Sequence, residues 1–316
     1  MPELPEVQTI ADDLNKKIKG DKIVDFESFW KKSIKGGSFD EFLRGIVGRK
    51  IEGARRIGKN LFIDLSGGKT IYIHLKMTGH LLVKPASMKH GTQNMEQKIQ
   101  NAKQEGYFDE KVNQYIRHVF YLKDQNAKLK TTIQKSKLLN AKYDKTLEFS
   151  DLRKFGKIML VDTEKVMKLP EIAKLGTDVM DEKFTVKLFK EILKKKQKSV
   201  IGNVLMDQSL ISGIGNIYRS EILFESGVDP KRKVSELKDS EIEEMYKNTL
   251  KIIKKAIKLR GTSDSDYRDT SGAPGEMHRF LKVYNREGEK CKKCDTIVKR
   301  KKIGQRSIYI CSECQK

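Results

Sequence analysis

The chain has no cysteine before residue 291 and only four in its 316 residues. A secreted disulfide scaffold spreads its cysteines through a small domain, so that class is excluded, and thiols gathered at one end point to metal. No apolar run approaches the roughly 20 residues of a membrane span. Nor does the chain start with a basic stretch leading into an apolar one, so it reads as intracellular rather than secretory. Acidic residues are in deficit: 43 Asp+Glu face 65 Lys+Arg, a net charge of +22. Such an excess favours polyanions, chiefly nucleic acid, through counterion release and steering. An anionic membrane fits less well, because no basic amphipathic helix with aromatic anchors stands out.

The length allows two domains. After MPEL, Val7, Ile10, Ala11, Leu14 and Ile18 share one helical face, with Pro5 suited to the first turn and Gly20 to the stop. The runs DKIVDFESF, KIEGARRIGKNLFIDLS, TIYIHLKMTGHLLVK, RHVFYLKD and LEFSDLRKFGKIMLVD are strand-like. One helix and several strands predict an antiparallel β-sandwich to about residue 160. Two Lys-, Gln- and Asn-rich stretches, 86–112 and 126–145, interrupt it and read as surface insertions. Beyond Pro170 the period changes to three and four through KFTVKLFKEILKKK, SVIGNVLMDQSL, GNIYRSEILFESG and SEIEEMYKNTLKIIKKAIKL. A Gly-, Ser- and Asp-rich loop, GTSDSDYRDTSGAPGEM, follows, and then a strand-like tail. No internal repeat is found.

Cys291 and Cys294, then Cys311 and Cys314, form two CxxC pairs separated by sixteen residues. Four thiolates fill the tetrahedral shell of one structural Zn²⁺. Between them VKRKKIGQR makes a basic hairpin tip and offers Arg306 to a DNA groove. Gly213 and Gly215 precede a helix whose N-terminal amides suit a phosphate, and Asn216 adds a side-chain amide there. Taken alone, MPELPEV reads only as a helix start.

These elements, with RRIGKNL, HLKMTGHL and DLRKFG, occur in an order that resembles bacterial formamidopyrimidine-DNA glycosylases over about four fifths of the chain. The resemblance implies an α+β protein of three parts. An N-terminal antiparallel β-sandwich with flanking helices covers 1–165, a helix-two-turn-helix domain with a lesion-recognition loop at 261–277 covers 166–280, and a four-cysteine zinc hairpin covers 281–316. It implies that Pro2 is the nucleophile, Glu3 the general acid/base, Glu6 a supporting acid and Lys59 a phosphate-contacting lysine. Met77, Arg153 and Phe155 match the trio that fills the gap left by a flipped base. Asn216 and Arg306 match phosphate contacts, and Tyr267 and Arg268 would serve the lesion loop, whose Gly272 and Gly275 permit mobility. Met and Phe in strands are ordinarily core residues, so the wedge assignment rests on the motif.

The residue chemistry fits these roles. An α-amino group titrates near 7.7 to 8.0, so part of it is neutral at pH 7, as Schiff-base formation requires. Proline's adduct is a cationic iminium that acidifies the sugar C2′ proton, which leads to β,δ-elimination. The expected activity is excision of oxidised purines such as 8-oxoguanine from duplex DNA, with cleavage at abasic sites, by a monomer in the cytoplasm, bound to the nucleoid. An endonuclease VIII-type enzyme for oxidised pyrimidines is the near alternative, and a non-catalytic zinc-ribbon DNA-binding protein the distant one.

Overall fold

Helix α1 (Leu4–Lys17) carries Val7, Ile10, Ala11 and Leu14 on one buried face, with Ile18 buried just beyond its end. Full burial of an aliphatic side chain is worth about 1.5–3 kcal/mol over exposure, so this face anchors the helix firmly. The computed structural model describes residues 1–86, 106–125, 142–263 and 266–316. Of the two expected insertions, 87–105 and 126–141 lie outside the described residues.

The strands that follow are β1 (Lys22–Ser28), β2 (Ile34–Lys35), β3 (Ile51–Ile57), β4 (Asn60–Leu65), β5 (Lys69–His74), β6 (His80–Pro85), β7 (Ile116–Lys123), β8 (Lys145–Ser150) and β9 (Lys157–Asp162). They form a four-stranded sheet ordered β1-β7-β8-β6 and a five-stranded sheet ordered β2-β9-β5-β4-β3. All pairings are antiparallel except the short β2–β9 pair, Ile34↔Ile158 and Lys35↔Met159, a small departure from the expected sandwich. Inward residues of both sheets, among them Phe26, Leu61, Ile73, Phe120 and Phe149, close on α1 and on helix α2 (Phe39–Ile46) in one core. Alternating side-chain direction along each strand is what delivers one apolar face to that core.

The second unit is helical: α3 (Val186–Lys194), a single turn α4 (Ile201–Val204), α5 (Asn216–Glu225) and α6 (Asp239–Lys258). The helical run expected over 199–210 shortens to α4. Asp207 Oδ1 accepts from both the backbone N–H and the hydroxyl of Ser209, a local turn that competes with helix. The core of this unit includes Leu4 among Ile214, Ile217, Tyr218 and Ile253, so the chain's first residues are seated in the second unit. Strands β10 (Thr177–Asp178) and β11 (Ile211–Ser212) pair in parallel, and β12 (Lys299–Ile303) with β13 (Arg306–Ile310) makes the terminal hairpin. No helix among the described residues is long and apolar enough to cross a membrane.

Candidate active site and nucleic-acid interface

Glu3 lies where the two units meet. Its Oε2 accepts from the Gly215 N–H at 2.7 Å and its Oε1 from the Ile217 N–H at 2.9 Å, so the N-terminus of α5 grips the carboxylate. The helix field adds to the attraction. Gly215 is required by close approach, because a Cβ there would lie 2.3 Å from Glu3 Cδ. The glycine pair and helix start expected to face a phosphate thus hold a carboxylate of the same chain. Glu6 closes the arrangement from below: its Oε2 accepts from the Glu3 N–H, and its Oε1 from Tyr218 Oη at 2.6 Å and the Thr262 N–H at 2.7 Å. Burial pushes the Glu6 carboxyl above the usual range and the Glu3 charge adds to this, while its three hydrogen bonds pull it back.

Lys59 occupies the two-residue turn between β3 and β4. Its Nζ donates to the Ile214 carbonyl at 2.8 Å, and burial lowers its pKa against the opposing pull of Glu3 and Glu6. The turn is fixed from three sides. Asp178 accepts from the Gly58 N–H at 2.8 Å and pairs with Arg56, while Asn60, itself held by Tyr72, reaches back to the Ile57 carbonyl. Pro2 is buried beside Glu3, whereas Met1 is exposed.

Met77 and Phe155 are exposed, at 43% and 54%. The backbone turns left-handed at Lys76 (φ 56°) and Lys154 (φ 58°), a conformation costing non-glycine residues about 1–2 kcal/mol, which the surroundings must impose. Those surroundings are visible: Thr78 Oγ1 donates to Asp151, accepts from the Arg153 N–H at 3.1 Å, and Asp151 also accepts from the Gly156 N–H at 2.7 Å. The two turns are thereby locked side by side. Arg153 Nη1 lies 3.1 Å from Met77 Sδ and its guanidinium 4.8 Å from the Phe155 ring centroid. Three residues from two distant motifs form one apolar and cationic projection.

Asn216 opens α5 and its side chain accepts from Arg219, a buried arginine that also donates to the Gly202 and Ser307 carbonyls. Arg219 ties α5 to the terminal hairpin. Arg306 is exposed at the hairpin turn, close enough that its charge depresses the pKa of both Lys59 and Arg219. The sulfurs of Cys291, Cys294, Cys311 and Cys314 all lie within 4.8 Å of one another. Separations of 3.8, 3.4 and 3.4 Å match the edge of about 3.8 Å that four Zn–S bonds of about 2.3 Å produce. The Lys293 N–H points at Cys291 Sγ, as a knuckle around a thiolate does. This is a structural Zn²⁺ site, with every position filled by protein.

The 261–277 loop is packed against both units. Tyr267 is buried in the sandwich core, its hydroxyl 3.5 Å from the Glu6 carbonyl. Arg268 turns inward, pairing with Glu110 at 2.7 Å. Gly275 is required by close approach, since a Cβ there would sit 2.4 Å from the Arg260 and Gly261 carbonyls. Sequence reasoning also missed Tyr218, Thr262, Asp178 and Arg219. Tyr218 and Arg219 lie inside the quoted GNIYRSEILFESG, but nothing in that string says that a carboxylate from over 200 residues away meets it.

The comparisons with known proteins agree with this geometry. Family models match in three blocks: the formamidopyrimidine-DNA glycosylase N-terminal domain over residues 1–158, the H2TH domain of that glycosylase over 175–267, and a zinc finger found in FPG and IleRS over 288–316. The formamidopyrimidine-DNA glycosylase of Carboxydothermus hydrogenoformans is 36% identical over the whole of both chains, and that of Pelotomaculum thermopropionicum 33% over 100% of this chain and 99% of its own. Among solved structures, the Lactococcus lactis Fpg in complex with abasic-site DNA superposes with a TM-score of 0.80 at 27% identity, covering 99% of each chain. With both principal domains, the zinc finger and full-length relatives in agreement, the chain belongs to the formamidopyrimidine-DNA glycosylase family of DNA glycosylases.

Proposed function

We propose that the protein is a bifunctional DNA glycosylase and AP lyase that excises oxidised purines, 8-oxoguanine and formamidopyrimidines, from duplex DNA, acting in the cytoplasm on the nucleoid. The observation that carries this reading is the seating of the N-terminus between the two units, with the Glu3 carboxylate fixed by α5 amides. Once Met1 is removed, the Pro2 nitrogen is a secondary amine. Its lone pair attacks C1′ of the damaged nucleotide as the base leaves with the pair of the bond it breaks. Glu3 then takes the nitrogen's proton, and the freed pair forms the second bond of an iminium as the bond from C1′ to the ring oxygen breaks. Glu3 hands a proton to the sugar oxygen as the ring opens and later relays the C2′ proton, and loss of the 3′ and then the 5′ phosphate completes the cut. While Met1 remains, Pro2 is an amide and inert; the exposure of Met1 suits its removal.

Extruding a nucleotide costs a few kcal/mol of stacking and pairing. The Met77, Arg153 and Phe155 projection has the chemistry to occupy the vacated stack. Lys59, Asn216 and Arg306 supply contacts for the phosphates around it. Arg306 rides on the zinc hairpin, so the metal's contribution is to hold that turn.

Borohydride trapping on an abasic-site duplex tests the core of the reading. The mature chain should form a covalent adduct and Pro2→Gly should not, while still binding duplex. A trapped adduct in Pro2→Gly would remove the nucleophile assignment, and no adduct in the mature wild type would favour a binding protein. Oxidised pyrimidines remain the second reading, since a solved complex of the Lactococcus lactis enzyme contains such a lesion. Duplexes carrying 8-oxoguanine or thymine glycol opposite each base decide between them.

A further inference from the structure

The segment 106–114, between β6 and β7, belongs to the first unit, yet it is built into the 261–277 loop of the second. Asn113 is completely buried. Its Nδ2 donates to the Tyr107 carbonyl at 2.7 Å and the Gly272 carbonyl at 3.2 Å, and its Oδ1 faces His80 Nε2 at 2.8 Å. The orientation is fixed chemically, because a flipped amide would set its oxygen against two carbonyls. His80 is thereby held between the Asn113 amide and, through Nδ1, the Thr78 carbonyl at 3.3 Å. Three residues upstream, Glu110 accepts from Arg268 Nε at 2.7 Å. Gly272 (φ 78°) is fitted to the same spot, since a Cβ there would lie 2.8 Å from Asn113 Nδ2.

The rest of the loop is fastened independently. The Thr262 N–H is held by Glu6, Asp269 by Arg260, and the Thr270 carbonyl by the Val83 N–H. Removing the contribution of 106–114 thus leaves these other ties and the Thr262–Glu6 bond in place, and loosens Arg268, Gly272 and the His80 ring. We propose that Asn113, together with Glu110, is a positioning residue that sets this part of the loop against an extruded base. The inference rests on the glycosylase reading above. An abasic nucleotide has no base to hold, so a misplaced loop slows base release and spares cleavage of abasic DNA.

The experiment compares single-turnover release of 8-oxoguanine with nicking of a preformed abasic duplex, using the full mature chain. Asn113→Ala and Glu110→Arg should each slow base release by about tenfold while abasic nicking stays within about twofold, since small misplacements penalise a positioned step selectively. The exchange Glu110→Arg with Arg268→Glu restores the pair with opposite polarity and should return base release to within about threefold of wild type. Parallel loss on both substrates, or undiminished base release in Glu110→Arg, overturns the proposal. If Asn113→Ala does not fold, Glu110→Arg and the exchange decide alone, because Glu110 is partly exposed. A wild-type chain that releases bases but leaves abasic DNA uncut would overturn the lyase reading instead. Base release is then set against affinity for the abasic duplex: slowed release with unchanged affinity supports the positioning role, and parallel loss of both overturns it.

Discussion

Replacing Tyr218 with Phe removes one hydroxyl and nothing else, at a point where the consequence has a sign. Tyr218 Oη donates to Glu6 Oε1 at 2.6 Å, and both residues are buried. A hydrogen bond to a charged group contributes about 1.5–3 kcal/mol, so wherever Glu6 is ionised we expect Tyr218→Phe to cost about 2 kcal/mol. For a protein of this size that is about 3 °C in Tm. Burial already raises the Glu6 carboxyl above its ordinary 4.5. The folded state therefore binds more protons than the unfolded one between 4.5 and the folded value, and this group's contribution to stability falls as pH climbs through that window. The tyrosine bond favours the anion, so losing it raises the folded value further. The cost of the substitution is full above the window and shrinks as pH falls below it. Denaturant melts of wild type and Tyr218→Phe over a series of pH values from 4.5 upward measure it. A cost that stays constant across the series, or one that never exceeds about 0.5 kcal/mol, would refute the claim that this hydroxyl supports a charged Glu6.

Gly215→Ala forces the Glu3 carboxylate off the α5 amides; base release and abasic cleavage should both fall by about a hundredfold, and near-normal kinetics would show that this grip is not needed. Chelation of the zinc should weaken duplex binding, because the β12–β13 hairpin that carries Arg306 loses its base; binding unchanged after verified metal loss contradicts the hairpin's role. Duplex affinity should fall with salt on a log–log slope of about −0.9 per neutralised phosphate, and Arg306→Ala should make that slope shallower by about one unit; an unaltered slope removes Arg306 from the phosphate contacts.

What the sequence disclosed was whatever repeats at short range. The face of α1 was legible because its period is local, the strands because β-branched and aromatic residues alternate, and the zinc site because its spacing encodes its geometry. The wedge trio was legible only as motif, since Met77 and Phe155 look like core residues until the left-handed turns at Lys76 and Lys154 are seen. Long-range pairings stayed hidden. Nothing local told that the amides after Gly213 would hold Glu3 rather than leave a phosphate site, or that Tyr267 would turn into the sandwich core. A loop rich in Gly, Ser and Asp looks loose in one dimension, while its actual contacts come from segments more than 150 residues away.

The grip of α5 on Glu3 also sets an order of events in the life of the chain. The residues that would cut DNA are synthesised first, but their carboxylate is aligned by amides made some two hundred residues later. A nascent or prematurely truncated polypeptide therefore emerges with its reactive end unassembled. On the proposed function, DNA cutting waits until translation has passed α5.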